Sequence, residues 1–430
     1  MRILLTGATG FIGSHILEAL LREGHRVVMV SRRPLPRDES AVQSLRKDFS
    51  QAVDPGDWEA ALQGIDVVIN AVGILRERGT QRFETLHYRA PAALFQAAVA
   101  AGVKRIVQVS ALGADDAAST PYHLSKKAAD DVLRALPVEG IVVQPSLVFG
   151  PGGASTTMFT SQATQPFIPL PGTGAQGVQP VHIEDLVDVV VRLATRDDLA
   201  REYAGNTIAV VGPQPMTLRE YYRQLRRALG EMGPARFVSV PMAVMRVLAW
   251  AGQWIPGSPL DPDTLSMLER GSVAAPNDTQ IILGRQPRSV AAFLSHGAAA
   301  DLTIAARLRW LTPILRISVA LVWLIAGVVS MGLYPVEDSL AMLIAVGVPL
   351  SLAPAALYGA ATLDIFFGLW VLSPWRSKWL WALQMVVVIA YTLVLTLKLP
   401  AFWLHPFGPL AKNLPFLAVL WLLYEIDREP

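Results

Sequence analysis

Charge is spread over this 430-residue chain so unevenly that two different surroundings are required. Between residues 313 and 424 only eight of 112 positions are Asp, Glu, Lys or Arg, while the other 318 positions carry 64. A stretch that poor in charge cannot present a hydrated surface, so it reads as a membrane part following a soluble one. Charged residues make up 17% of the whole, against roughly 25% in soluble globular proteins, and the deficit lies in this segment. The formal net charge of +2 is too small for a nucleic-acid footprint. The sequence has no cysteine, which excludes disulfides, thiolate metal sites, iron–sulfur clusters and cysteine nucleophiles. No His/Asp/Glu cluster has metal-ligand spacing, so no metal is expected. Residues 1–6 run straight into a glycine motif, so no cleaved signal is expected and the first domain should stay where it is made.

The first 150 residues alternate short apolar runs with helical patterns. Residues 3–6, 26–30, 66–71, 105–110 and 140–145 are β-branched-rich and nearly all apolar, as parallel strands covered on both faces must be. Helical stretches at 13–22, 83–101 and 122–136 separate them, which predicts βαβ units and a doubly wound parallel sheet. Residues 151–180, dominated by Gly, Pro, Ser and Thr, read as a long irregular lid or binding loop. Helices resume at 182–193, 218–229, 242–254 and 263–271, predicting a small helical cap. Residues 301–312, with Arg307 and Arg309, form a basic connector.

Four membrane spans are expected after that connector. Residues 317–336 are 20 uncharged positions, and 379–397 are 19. Residues 339–372 are apolar except for Asp364 and too long for one helix, so the span is placed at 354–372 and residues 340–350 form an interfacial or re-entrant piece. Residues 414–424 reach spanning length only if the helix begins near Gly408. Trp310, Trp375, Trp379, Trp403 and Tyr424 gather at the expected interfaces. Arg307, Arg309, Arg316, Arg376, Lys378 and Arg428 fall on one side, Lys398 and Lys412 on the other, and the positive-inside rule then places both termini in the cytoplasm. Asp364 lies mid-span, where a carboxylate is expensive; a proton relay, a quinone head-group contact and an interhelical hydrogen bond all fit it.

The residues Thr6-Gly7-Ala8-Thr9-Gly10-Phe11-Ile12-Gly13 follow a strand and open a helix. Gly7 permits the tight turn, Gly10 lets backbone N–H groups approach a pyrophosphate, and Gly13 lets helix and strand pack closely. The second strand ends in Ser31-Arg32-Arg33 where an NAD site usually carries an acid. Two guanidinium groups would grip a 2′-phosphate, so NADP(H) is preferred over NAD(H); the alternative is a solvated basic loop.

With Asn70-Ala71-Val72-Gly73, residues 108–114 (QVSALGA) and Tyr122-His123-Leu124-Ser125-Lys126 added, residues 1–295 resemble an atypical short-chain dehydrogenase/reductase. The nearest subgroup contains the NADPH-binding accessory subunit of respiratory complex I, and residues 144–150 (QPSLVFG) and 179–185 (QPVHIED) fit it too. The final segment, with residues 405–415 (HPFGPLAKNLP), is similar to DoxX-like four-helix membrane proteins, and such fusions occur in bacteria. The resemblance implies a dehydrogenase/reductase-like domain at 1–232, a cap and connector at 233–312, and a four-helix transmembrane domain at 313–430. It also implies cofactor contacts from Thr9, Phe11, Ile12, Asp48, Asn70, Ala71, Val72, Gly73, Val109, Lys126, Pro145 and Val148.

Tyr122 and Lys126, four residues apart, share one helix face. In the family resembled, the tyrosine is the general acid/base, and the lysine holds the nicotinamide ribose and lowers the tyrosine pKa. A Ser or Thr near the strand end polarises the carbonyl. Ser110 is the hydroxyl available here, and it matches the first serine of the usual pair, while Ala111 and Leu112 stand where the catalytic one falls. Loss of such a donor slows catalysis about a hundredfold or more. His87 reads as a packed helix residue or a proton relay, and His182 as structural. Two functions follow. One is a membrane-anchored NADP(H) reductase of a lipid- or quinone-like carbonyl at the cytoplasmic face of the bacterial inner membrane. The other is a non-catalytic NADPH-binding module that assembles with a membrane complex or senses redox state. Lipid bilayer, a hydrophobic small molecule and a membrane-complex partner are the expected contacts, and nucleic acid is not.

Overall fold

The computed structural model describes residues 1–32, 41–255, 258, 260–375 and 377–427, in two compact units, Met1–Ala306 and Arg307–Pro430. Arg33, Arg376 and Arg428 lie outside the described residues.

The first unit is built on a seven-stranded sheet. Its strands are β1 (Arg2–Thr6), β2 (Arg26–Ser31), β3 (Val42–Arg46), β4 (Val67–Asn70), β5 (Arg105–Val109), β6 (Glu139–Pro145) and β7 (Thr207–Val210), in the spatial order β7-β6-β5-β4-β1-β2-β3. All pairings are parallel. The doubly wound sheet expected from the sequence is thus present, and its five central strands coincide with the apolar runs. Strands β3 and β7 were not anticipated. They form the two edges. Strand β3 reads VQSLR with a mostly exposed pattern, so the uniform apolar signature is lost. The short β7 has its outer flank bonded by the buried Thr279 hydroxyl, which donates to Ala209 O at 3.1 Å.

Helices cover both faces. One face holds α1 (Phe11–Arg22) and, after the sheet's middle strands, α4 (Ile183–Thr195), with Ile16, Leu20, Leu186, Val190 and Leu193 buried against the strands. The other holds α2 (Ala90–Ala100) and α3 (Pro121–Ala135), with Leu94, Phe95, Ala129 and Leu133 in its core. The stretch 83–101 is not one regular helix, because Glu84–Arg89 forms a π-turn ahead of α2. Such insertions recur at functional sites.

A separate core closes the cap. Phe149, Phe159, Ile168 and Leu170 pack with Tyr221, Tyr222 and Leu225 of α5 (Leu218–Ala228) and with Phe293. Residues 151–180 therefore do not form an open lid. They include a helix, Ala154–Ala163, and a strand, Ile168–Pro171, paired in parallel with Phe237–Val240. The buried apolar side chains of that stretch outweigh its turn-rich composition. Two more cap helices follow, α6 (Met242–Gly252) and α7 (Pro262–Arg270), which pack through Met245, Ala249 and Leu265.

Helix α8 (His296–Val328) carries the chain onward as one 33-residue element, so the basic connector is itself helical. In the second unit lie α9 (Val336–Ala345), α10 (Ala353–Leu372), α11 (Lys378–Lys398) and α12 (Asn413–Ile426). Among the described residues, three helical stretches, His296–Leu333, Ala353–Leu372 and Lys378–Lys398, are long and apolar enough to cross a membrane. Helix α12 begins at Asn413, not near Gly408, and its 14 residues rise about 21 Å, short of a hydrocarbon core of about 30 Å. The bundle core forms around Trp323, Phe367, Leu380, Trp381 and Leu420. Asp364 is buried there with Oδ1 unpartnered, as is Gln384 Nε2, while the Trp323 indole N–H donates to Gln384 Oε1 at 2.6 Å.

Candidate nucleotide and proton-transfer site

The strand order reverses direction between β1 and β4, and ligands of open parallel sheets settle in the crevice at that point. There the turn after β1 meets the turn after β4. Ala71 N–H donates to Thr6 O at 3.2 Å, and a Cβ on Gly7 would lie 2.6 Å from the Ala71 carbonyl oxygen. Gly7 also has φ +72°, so both backbone conformation and space demand glycine. A Cβ on Gly13 would lie 2.1 Å from Gly7 O, which is the close helix–strand approach expected of it. Gly10 caps α1 with no side chain on the helix end and no acid in the first turn. The positive end of α1 is thus free for an anion, and the glycine cradle fits a dinucleotide pyrophosphate. The Phe11 ring lies beneath Gly150 and Gly153, while Thr9 and Ile12 stand in the turn and the first helical residues.

A polar ladder crosses the strand ends beneath this turn. The buried Thr6 hydroxyl donates to Asn70 Oδ1, and Asn70 Nδ2 donates to Gln108 Oε1 at 2.7 Å. Asn70 Oδ1 also accepts from Val72 N–H (3.3 Å), so Asn70 shapes the Ala71–Gly73 turn. At the β2 end Ser31 is buried and Arg32 exposed. With the Gln81 amide oxygen turned toward it, the Arg32 guanidinium donates to that oxygen at 2.9 and 3.2 Å. Asp48, just beyond β3, holds its own turn, accepting from Ser50 N–H (3.0 Å) and the Ser50 hydroxyl (2.8 Å). Pro145 is buried at the end of β6, and Val148 is half-buried and pairs with Val181.

The second half of the site stands on α3. Thr120 caps it, accepting from His123 N–H at 3.4 Å, and Pro121 opens its first turn. Tyr122, Lys126 and Asp130 then follow at four-residue intervals on one face. Lys126 is buried, and its ammonium donates to Val72 O (3.0 Å) and Val109 O (3.2 Å), tying α3 to the ends of β4 and β5. Burial pushes its pKa down to about 8, against the opposing pull of Asp130. The Tyr122 ring packs edge-on against Phe83, His87 and His123. Burial, and secondarily the Asp130 charge, push the phenol up to about 12. At neutral pH it is a proton donor.

Ser110, just beyond β5, is turned to the same helix but is already engaged. Its hydroxyl donates to Asp130 Oδ2 inside the protein. Asp130 is fully buried with Oδ1 unpartnered, and burial raises it to about 6 although Ser110 and Lys126 hold it back. Its place two turns beyond Tyr122 was visible in the sequence, but nothing in the pattern marked it as buried.

His87 is fixed from both sides. Nε2 accepts from Ile74 N–H at 2.9 Å, so Nδ1 carries the proton and meets Ser125 Oγ at 3.0 Å, and Ser125 in turn donates to Tyr122 O at 2.8 Å. Burial and the Lys126 charge push its pKa down to about 2. This arrangement braces the turn after β4 against α3. His182 caps α4, Nδ1 accepting from Glu184 N–H at 3.3 Å.

The cap adds residues that the sequence pattern did not reveal. Arg270 of α7 donates from Nη2 to both carboxylate oxygens of Asp115 at 2.6 Å and from Nη1 to Gly113 O at 2.8 Å. Arg76, after β4, pairs with Asp261 at the start of α7. Helix α7 is thereby fastened to the loops that follow β4 and β5.

Residues 3–209 match the NAD dependent epimerase/dehydratase family and residues 320–421 the DoxX-like family. The chain is 31% identical over 191 residues to a ceramide reductase of Caulobacter vibrioides, a match covering 43% of this chain and 57% of that protein. It is 30% identical over 268 residues to the mitochondrial NADH dehydrogenase [ubiquinone] 1 alpha subcomplex subunit 9 of Mus musculus, covering 60% of this chain and 68% of that one. The match thus reaches little more than half of the first relative's length and about two thirds of the second's. Among solved structures, UDP-glucuronic acid 4-epimerase of Bacillus cereus, in complex with UDP-glucuronic acid and NAD, aligns with a TM-score of 0.52 at 19% identity, over 72% of this chain and all of that one. At that identity the likeness speaks for the fold alone.

Proposed function

The chain belongs to the NAD-dependent epimerase/dehydratase family, with the complex I alpha subcomplex subunit 9 proteins among its relatives and a DoxX-like domain appended, and on that premise we propose that it is a membrane-anchored NADP(H)-dependent reductase of a lipid- or quinone-like carbonyl. The observation that carries this reading is the α3 face, where a protonated phenol and a buried ammonium stand one turn apart. NADPH held at the Gly7–Gly13 turn would supply the hydride, and the remaining work falls to the side chains of the chain itself. Tyr122 gives its phenolic proton to the carbonyl oxygen, completing the alcohol. Lys126, charged below about pH 8, would stabilise the phenolate left behind, and the family resemblance gives it the nicotinamide ribose as a further partner. The Gly7–Gly13 turn and the α1 end would hold the pyrophosphate, and Arg32 with Arg33 would take the 2′-phosphate. A relative named for reducing a ceramide supports a lipid substrate. The apolar helices and the DoxX-like match support a membrane protein, and the Lys/Arg distribution supports an orientation with both termini in the cytoplasm.

One observation favours a second reading. The Ser110 hydroxyl is engaged by Asp130, and Ala111 and Leu112 follow it, so no strand-end hydroxyl is left to polarise a carbonyl. A non-catalytic NADPH-binding module of a membrane complex would need none, and the complex I relative supports that alternative. NADPH oxidation by the purified full chain in lipid, with quinones and long-chain carbonyls as acceptors, separates the two. The reductase reading expects turnover with at least one acceptor. Tight NADPH binding with no turnover on any would overturn it.

A further inference from the structure

Helix α6 carries two apolar faces, and the fold uses only one. Met245, Ala249 and Gly252 are buried, packed toward Leu265 of α7. On the opposite arc Val244, Val247 and Leu248 stand exposed at i, i+3, i+4 spacing. Trp250 borders that arc, and the turn that continues the helix adds Trp254 and Ile255. The exposure is large: 64% for Val247, 61% for Trp250 and 73% for Trp254. The charged residue of α6, Arg246, is tied to Glu269 of α7. A contiguous patch of this kind on a water-facing surface marks a contact with something apolar.

The structure points to lipid as that contact. We propose that α6 is an interfacial helix whose outer face lies in the headgroup–acyl boundary of the bilayer. Three observations favour lipid over a protein. The same chain continues into helices long and apolar enough to cross a membrane, so a bilayer is always within tethered reach, and tethering turns weak surface affinity into occupancy. Two tryptophans border the apolar arc, the residue type that gathers at membrane–water boundaries. The strand leading into α6, Phe237–Val240, is flanked by cations: Arg219 and Arg223 stack over Phe237, and Arg236 over Phe167, which complements anionic headgroups. An amphipathic helix so placed buries its apolar face about 5–10 Å into the boundary. This contact goes beyond the proposed catalysis and does not depend on it.

The absence of native cysteine makes the test clean. Single Val247→Cys, Trp254→Cys and Glu18→Cys variants of the full chain, each carrying an environment-sensitive fluorophore, are reconstituted in vesicles of phosphatidylcholine with a minority of phosphatidylglycerol. Glu18, exposed on α1, serves as the reference. Labels at Val247 and Trp254 should be quenched by nitroxide-bearing lipid and protected from iodide, while the label at Glu18 shows the reverse. Quenching of the α6 labels by iodide alone would place the face in water and overturn the proposal. Protection from both quenchers would mean that protein covers it, through a second copy or another part of the chain, and would overturn it equally. The readout needs neither cofactor nor turnover, so its failure leaves the reductase reading standing, and failure of that reading leaves this one.

Discussion

The Ser110 hydroxyl donates to the carboxylate of Asp130, and Asp130 stands one turn beyond Lys126 on α3. The pair is buried, and Asp130 Oδ1 finds no second partner. Removing the donor leaves a buried carboxylate with still less support, which costs about 1–3 kcal/mol. Ser110→Ala should therefore lower the thermal stability of the protein while changing kcat by no more than a few-fold. If Ser110 instead polarises the substrate carbonyl, kcat should drop about a hundredfold or more. Melting curves and steady-state rates on the one variant distinguish the roles.

In the proposed reductase, the low pKa of Lys126, about 8 through burial, should set the alkaline side of the pH profile. Its charge is needed for the phenolate, so kcat/KM should fall as pH rises through about 8. Lys126→Arg keeps its charge past pH 12 and should abolish that limb, at whatever rate remains. The stability effect has the opposite sign. Between about 8 and the ordinary lysine value of 10.5 the unfolded chain holds the proton and the folded chain has lost it. The unfolded state then binds more protons, so stability from this group rises with pH across that window. Denaturant midpoints relative to Lys126→Met should show the protein gaining stability as it loses activity.

The proposed cofactor preference is argued from the end of β2. NADPH should bind more tightly than NADH, and replacing both Arg32 and Arg33 by Ala should erase the difference while leaving NADH affinity nearly unchanged. Equal affinities in the unmodified protein would contradict the assignment. Titration calorimetry with both nucleotides measures it.

How much was legible in the sequence follows from burial. Strands β1, β2, β4, β5 and β6 announce themselves because both faces are covered and nearly every side chain is apolar. The edges β3 and β7 do not, since solvent along β3 admits Gln43 and Ser44, and β7 is only four residues long. Gly7 and Gly13 were legible as a tight-turn and a close-packing position from the motif's place between strand and helix, and the contacts a Cβ would make agree with those two packing roles. Tyr122 and Lys126 shared a face by helical periodicity. The direction of the Ser110 hydroxyl was not legible, because it depends on Asp130, a residue whose burial only the tertiary packing reveals. His87 was poised between two readings until Ile74 N–H and Ser125 were seen to engage both ring nitrogens. Likewise hydropathy marks the apolar segments of the second unit, but it does not mark that α12 starts as late as Asn413.

Topology provides a further test. Reporter fusions at Asp338 and Asn413 should read outside, and fusions at Ser377 and the C-terminus inside. The decisive position is the last, because α12 is short for a span. A C-terminal reporter outside would mean that α12 does not cross, leaving three spans and reversing the expected side of that end.

Tyr122→Phe tests the central claim most directly. The substitution removes the phenolic proton and keeps the ring that packs against Phe83, His87 and His123. Lys126 keeps its bonds to Val72 and Val109, so NADPH affinity should stay within a few-fold. The measurement is the rate of NADPH oxidation by the full chain in lipid, with the best carbonyl acceptor found. A reductase in which Tyr122 is the general acid should lose roughly 100- to 10,000-fold in kcat. An active protein whose rate is indifferent to Tyr122→Phe would contradict the mechanism.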